Sequence, residues 1–116
     1  MSAAVEHLPP QLRAMRQEDV PAVAALEKAA YEFPWSAGIF RDCLLAGYTA
    51  VILEADGEKV GYAVMSVAAG EAHLLNICIV EHLRRRGIAR RLLQHMLELA
   101  VQAGAERLFL EVRPSN

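Results

Sequence analysis

Hydrophobic positions along the chain follow two periods, and their succession sketches a fold. "LRAMR" (12–16) reads as a first short strand. "EDVPAVAALEKAAYEF" has helical spacing and opens near Asp19, with Pro21 in the first turn, where proline is tolerated. Pro34 disfavours helix at Phe33, and Ser36 is a natural N-cap for a second helix, "AGIFRDCLLA", closed by Gly47. "YTAVILEA" and "VGYAVMSVA" flank the turn "DGEK" and predict a hairpin over 48–68. "EAHLLNICIV" (71–80) is a third apolar strand after the break at Ala69-Gly70. Ile88, Leu92, Met96 and Leu99, with Ala89, Leu93, Leu97 and Ala100, then form one wide apolar stripe. Gly104 ends that helix, and "RLFLEV" (107–112) is the last strand.

The predicted order is β-α-α-β-β-β-α-β. The closing β-α-β unit implies parallel strands joined by a crossover, and the hairpin implies antiparallel pairing. The pattern therefore predicts an α/β class protein with a mixed α+β sheet. A length of 116 residues, without repeats or internal linkers, makes 1–116 a single domain.

Composition narrows the function. The chain is 54% hydrophobic, yet no apolar run reaches the roughly 18–20 residues of a membrane span. The N-terminus lacks the pattern of a secretory signal. Twelve basic against fourteen acidic residues give a net charge of −2, which argues against a general polyanion binder. Cys43 and Cys78 form no CxxC pair and read as reduced, buried thiols of a cytoplasmic protein. His7, His73, His82 and His95 have no metal-ligand spacing, so no metal is expected.

The charge that matters is local. "HLRRRGIARRLL" (82–93) sets five arginines around Gly87. A nucleic-acid grip would want stacking aromatics nearby, and none are there. A merely solvated helix start is also awkward, because cations oppose the dipole at a helix N-terminus. A strand, a short loop and a glycine opening a helix instead aim free backbone N–H groups at a bound phosphate. Gly87 and Ala89 would let a pyrophosphate come close, and the arginines would add counter-charge. With neither GxxxxGK[ST] nor GxGxxG present, a pyrophosphate-bearing cofactor is favoured over a magnesium nucleoside triphosphate.

"RRRGIA", or Arg84-x-x-Gly87-x-Ala89, resembles the Gln/Arg-x-x-Gly-x-Gly/Ala signature of the GCN5-related N-acetyltransferases (GNAT). "LLNICIVEHLRRRGIARRLL" is similar to that family's cofactor strand, loop and helix. "LFLEVRPSN" and "EFPWS" resemble segments of its RimI-type members, which act on the N-terminal alanine of a small-subunit ribosomal protein. The likeness runs from about Arg13 to Asn116.

The resemblance implies the GNAT fold and acetyl-CoA as cosubstrate. Ile77, Cys78 and Ile79 would run along the pantetheine arm through their main chain. Arg85, Arg86, Gly87, Ile88, Ala89 and Arg90 would hold the pyrophosphate, and Asn116 would touch the cofactor. Arg84 is either a further phosphate contact or a solvated surface arginine. Glu111 is the implied base; alternation alone places it with Phe109 and Arg113 and allows an ion pair with Arg113. Phe33, Pro34 and Trp35 would wall the acceptor groove, although Trp35 serves equally as a helix-corner anchor. Asn76 is either an acceptor-side polar group or a strand asparagine satisfied by a neighbouring loop.

The implied reaction acetylates the N-terminal α-amino group of a ribosomal protein in the cytoplasm, without membrane or direct nucleic-acid contact. The alternatives are a lysine or small-amine acetyltransferase, and a non-catalytic CoA-binding or ribosome-associated module. The family's domain normally continues beyond "EVRPSN" with one helix and two strands, including a tyrosine general acid. The chain is thus expected to be C-terminally incomplete, with no assigned acid. Its 107–113 strand would then be an edge open to a second copy in a homodimer.

Overall fold

The computed structural model describes residues 10–84 and 87–111. Strands β1 (Gln11–Ala14), β2 (Thr49–Ala55), β3 (Glu58–Ala68), β4 (Glu71–Ile79) and β5 (Arg107–Leu110) form one sheet in that order. Helices α1 (Val20–Ala30) and α2 (Ala37–Leu45) lie between β1 and β2, and α3 (Ile88–Gln102) crosses from β4 to β5. β1 to β4 pair antiparallel; β4 and β5 pair parallel, as the β-α-β pattern requires. The element order and the mixed sheet match the sequence expectation.

Two boundaries differ from that expectation. A 3₁₀ turn, Gln17–Asp19, precedes α1, which starts at Val20. The helix also stops at Ala30, three residues ahead of Phe33, because Tyr31 turns to extended backbone at φ −127° and ψ 144°. The reason is tertiary. The Tyr31 ring is buried and its hydroxyl donates to the Ile77 carbonyl at 2.7 Å, which pulls the chain out of the helix before Pro34 would. Ser36 caps α2 as its residue type suggested, its Oγ accepting from the Ile39 N–H.

Alternation along Ala50–Leu53 of β2 and Tyr62–Met65 of β3 divides the core into two layers. Ala50, Ile52, Tyr62 and Val64 pack against Val20 and Val23 of α1 and Phe40 and Cys43 of α2. Val51, Leu53, Ala63 and Met65 pack against Leu92, Met96 and Ala100 of α3. Each large apolar side chain so buried contributes about 1.5–3 kcal/mol relative to exposure.

β4 departs from this rule. Val64 pairs with Asn76 while the next residue, Met65, pairs with Leu74, so Leu75 is an extra residue, a β-bulge. The bulge reverses the alternation. Ala72 and Leu74 face α3, whereas Cys78, also even-numbered, packs in the α1–α2 layer and Ile79 joins the α3 layer. Asn76 turns to the α1 side as well, where its amide meets Glu27 of α1.

The open end of the sheet is tied by charge. Arg13 Nη1 and Nη2 donate to both carboxylate oxygens of Asp19 at 2.8 and 2.7 Å, and Nε engages Glu54. Asp19 also accepts from the Arg16 N–H at 2.8 Å. This holds the Asp19 carboxyl down at about 2, chiefly through the Arg13 hydrogen bonds.

Two tests follow. The folded value at Asp19 lies below the ordinary 3.8, so its stabilisation is complete above about pH 4 and drains away as pH falls through 3.8 towards 2. Urea melts should lose midpoint over that window, and Asp19→Asn, about 2 kcal/mol less stable at pH 7, should flatten the loss. Gly61 provides the second. A Cβ there would sit 2.8 Å from the Cys78 carbonyl and 2.8 Å from Ile79 Cδ1. Gly61→Ala should push β4 aside and lower stability by about 1–3 kcal/mol in the same melts.

Candidate active site

Among the described residues the β4–β5 ladder runs from Glu71–Arg107 to Leu74–Leu110, and the Glu111 N–H reaches the Leu74 carbonyl at 3.1 Å. β4 runs on to Ile79, past the described end of β5. A cleft of about 310 Å³ lies at this end of the ladder. One flank is α3, through Ala89, Arg90 and Leu93; the other is Tyr31. Leu75, Asn76 and Ile77 of β4 lie between them, and Leu110 and Glu111 line the side after β5. The bulge residue Leu75 itself lines this cleft, so the irregularity of the strand falls at the site.

Glu111 stands at this cleft with its side chain 59% exposed, a carboxylate open to solvent. Its Oε1 is 3.4 Å from Nδ1 of His73, whose Nε2 is 3.5 Å from Glu71. The His73 ring stacks on Phe109 with centroids 4.9 Å apart and planes 17° from parallel. Phe109 and Glu111 are thus placed about one imidazole. Arg113, the alternative partner of Glu111, lies outside the described residues.

At the other end of the cleft α3 begins. Gly87 adopts φ +74°, a left-handed conformation that favours glycine, and no side chain caps the helix. The first intrahelical bond runs from the Arg91 N–H to the Gly87 carbonyl. The N–H groups of Ile88, Ala89 and Arg90 therefore have no acceptor within the helix. No acidic residue occupies the first turn. This is a fit for an anion, and it is continuous with the cleft through Ala89 and Arg90.

Arg84 has a structural bond of its own, Nε to the Ile79 carbonyl at 3.0 Å. Together with Cys78 and Ile79 it lines a neighbouring hollow of about 290 Å³. Ile77 lines the main cleft, where its carbonyl accepts from Tyr31. Arg85, Arg86 and Asn116, three of the expected cofactor contacts, lie outside the described residues.

On the acceptor side the expected groups separate. Trp35 is half-buried, stacks obliquely on Phe40 at 5.3 Å and donates its backbone N–H to Glu27 at 2.9 Å, the arrangement of a corner anchor. Phe33 is 81% exposed and Pro34 is exposed, and neither lines the cleft. Asn76 does line it. Its Nδ2 donates at 2.9 Å to Glu27, so its partner is a buried helix carboxylate and not a neighbouring loop.

Three residues of the site were missed in the sequence. Glu27 is fully buried and accepts from the Tyr62 hydroxyl at 2.5 Å, from Asn76 and from the Trp35 N–H. Its signal was available: it stands seven residues after Val20 on the apolar stripe of α1, where a carboxylate is out of place. Burial above all, then Cys78 and Glu27, pushes the Tyr62 hydroxyl far up, so it stays a neutral donor. Tyr31 and His73 carried no such signal. Burial also raises the Cys43 thiol, consistent with an inert core cysteine.

Among the described residues no helix is long and apolar enough to cross a membrane, and no three His, Cys, Asp or Glu side chains gather to hold a metal.

Comparison with known proteins agrees with this geometry. The chain is 37% identical over 98 residues to the ribosomal protein bS18-alanine N-acetyltransferase of Salmonella typhimurium, covering 84% of this chain and 66% of the relative. It is 32% identical over 105 residues to the Escherichia coli enzyme of the same name, covering 90% and 71%. The chain thus spans about two thirds of the length of these relatives. The crystal structure of the Escherichia coli enzyme superposes with a TM-score of 0.84 at 31% identity, over 93% of this chain and 70% of that one. An aminoglycoside N-acetyltransferase in complex with CoA shares the fold, with a TM-score of 0.81 at 20% identity, over 99% and 84% of the two chains. The acetyltransferase (GNAT) family model matches residues 12–116, and the chain belongs to that family.

Proposed function

We propose that the chain moves acetyl from acetyl-CoA to the N-terminal α-amino group of a protein in the cytoplasm, the alanine of ribosomal protein bS18 being the favoured acceptor. One observation carries this reading: a solvent-open carboxylate, Glu111, and an uncapped helix start at Ala89–Arg90 border the same cleft. The relatives named for bS18 acetylation supply the choice of acceptor.

The free N–H groups of Ile88, Ala89 and Arg90 suit the pyrophosphate of CoA, with Arg85 and Arg86 as counter-charges. The edge of β4 at Ile77 and Ile79, past the described end of β5, offers main-chain groups to the pantetheine arm. Cys78 lies between them with its side chain in the core. An unpaired N–H on that edge would polarise the thioester carbonyl. The α3 flank takes the cofactor, and the Tyr31 flank takes the amine, with Asn76 on its side and Phe33 and Pro34 further out. The two reactants meet in the cleft between these flanks.

Chemistry then needs a neutral amine. An α-amino group titrates near ~8 and a lysine near ~10.4, so an N-terminus is the easier acceptor for a single exposed carboxylate. The ammonium gives its first proton to solvent water. As the neutral nitrogen bonds to the acetyl carbon and the carbon–sulfur bond breaks, Glu111, oriented by His73, takes one of the two remaining N–H protons directly or through water, and the electron pair leaves with sulfur. A CoA thiol resembles cysteine, near ~8.5, so the thiolate is a tolerable leaving group.

Mass spectrometry on peptides beginning with alanine or serine, or bearing only a lysine amine, tests the reading. The alanine peptide should be acetylated fastest, and Glu111→Gln should slow it by about 10²–10⁴-fold with CoA affinity unchanged. Loss of CoA binding in that variant would make Glu111 structural. We also propose that two copies pair along β5, where Phe109 and Leu110 are 41% and 53% exposed. Sedimentation should then show a dimer, and a clean monomer at high concentration removes the idea.

A further inference from the structure

Asn76 is 3% exposed, lines the cleft and leaves its Oδ1 without a partner. The amide cannot be turned round, because the carboxylate of Glu27 accepts only from the Nδ2 side. A buried acceptor oxygen without a donor is uncommon and unfavourable, and in a cleft it marks a place for a ligand's donor. Behind it Glu27 is fully buried and accepts from the Tyr62 hydroxyl, the Asn76 amide and the Trp35 N–H. Negative charge at Glu27 polarises the amide through its N–H and makes Oδ1 a stronger acceptor.

Resting on the acetyl-transfer reading, we infer that Asn76 Oδ1 binds one N–H of the acceptor's primary amine, with Glu27 as the positioning residue that orients and polarises Asn76. The location favours the amine over the cofactor. The bulge at Leu75 turns Asn76 to the α1 side, shared with Tyr31, away from the α3 flank. The buried carboxylate behind the amide strengthens Oδ1 as an acceptor for an N–H of the neutral amine.

The arrangement counts hydrogens. A neutral primary amine has one lone pair and two N–H bonds. The lone pair attacks the acetyl carbon, one proton goes to Glu111, and the other N–H is held by Asn76. A secondary amine has one N–H and cannot satisfy both. Asn76 thereby selects primary amines and fixes the direction of the lone pair during attack.

The test compares a short peptide beginning with alanine and the same peptide beginning with N-methylalanine, on wild type, Asn76→Leu and Glu27→Gln. Acetylation rates are read alongside calorimetric affinities of the CoA-loaded chain for each peptide. In Asn76→Leu, kcat/KM for the alanine peptide should fall about 10–100-fold and its preference over N-methylalanine should shrink by a similar factor. CoA affinity should stay unchanged. Glu27→Gln, isosteric and able to keep the fold if Asn76→Leu does not, should reduce the same preference about 3–10-fold. A preference unmoved in the folded variants overturns the inference, as does selective loss of CoA binding. A wild type that binds the alanine peptide but transfers no acetyl overturns the acetyl-transfer reading alone, provided the affinity preference depends on Asn76. A wild type that binds neither peptide overturns both.

Discussion

The extra residue in β4 governs what the rest of the molecule can do. Without Leu75 as a bulge, Asn76 would face α3 beside Leu92 and Met96, an amide in an apolar layer. With it, Asn76 reaches Glu27 at the cleft. The turned side chain is the direct result of one backbone irregularity. That is why an amide stands between Leu75 and Ile77 in the cleft lining.

A buried carboxylate sounds like a liability, and by itself it would be. Removing an unpaired carboxylate from water costs several kcal/mol even after relaxation. Here the groups that satisfy Glu27 come from β3, β4 and the α1–α2 corner, so one side chain on α1 fixes the relative placement of four segments. Apolar packing alone would be indifferent to small slides between helix and sheet. Three hydrogen bonds to one carboxylate are not, because each weakens steeply with misalignment. The network therefore converts a packing contact into a register, and the Tyr31–Ile77 bond repeats that four residues further along the chain on the same side.

The frame was legible because periodicity speaks for itself. The hairpin over 48–68, the Ser36 cap and the apolar stripe of α3 are local patterns, and each element formed where its residues said it would. Gly87 marked the uncapped start of α3 for the same reason: the signal is contiguous in sequence. The bulge was not legible. Ala72, Leu74, Asn76 and Cys78 alternate as if on one face, and nothing in their identities shows the break between Leu74 and Asn76. Tyr31 and His73 acquire meaning only through partners 46 and, at Glu111, 38 residues away. Glu27 lay between these cases, a wrong residue on the right stripe, readable as an anomaly but not as a tie to Asn76.

The start of α3 shows how a locally poor sequence serves a site. Cations at a helix N-terminus oppose the dipole, and α3 offers Arg90 and Arg91 there with no acidic residue and no cap. In the free chain this is a small standing cost, in the range of tenths of a kcal/mol per charge at an exposed terminus. An anion reverses its sign: the same arginines and unpaired N–H groups become attractive together. Whatever binds the folded chain and not the unfolded one then stabilises it by mass action. Arg84 stands apart, since its bond to the Ile79 carbonyl ties the loop back to the end of β4. In the proposed reading the motif divides its labour: Gly87 and Ala89 would give access and the other arginines charge, while Arg84 ties the loop to the strand.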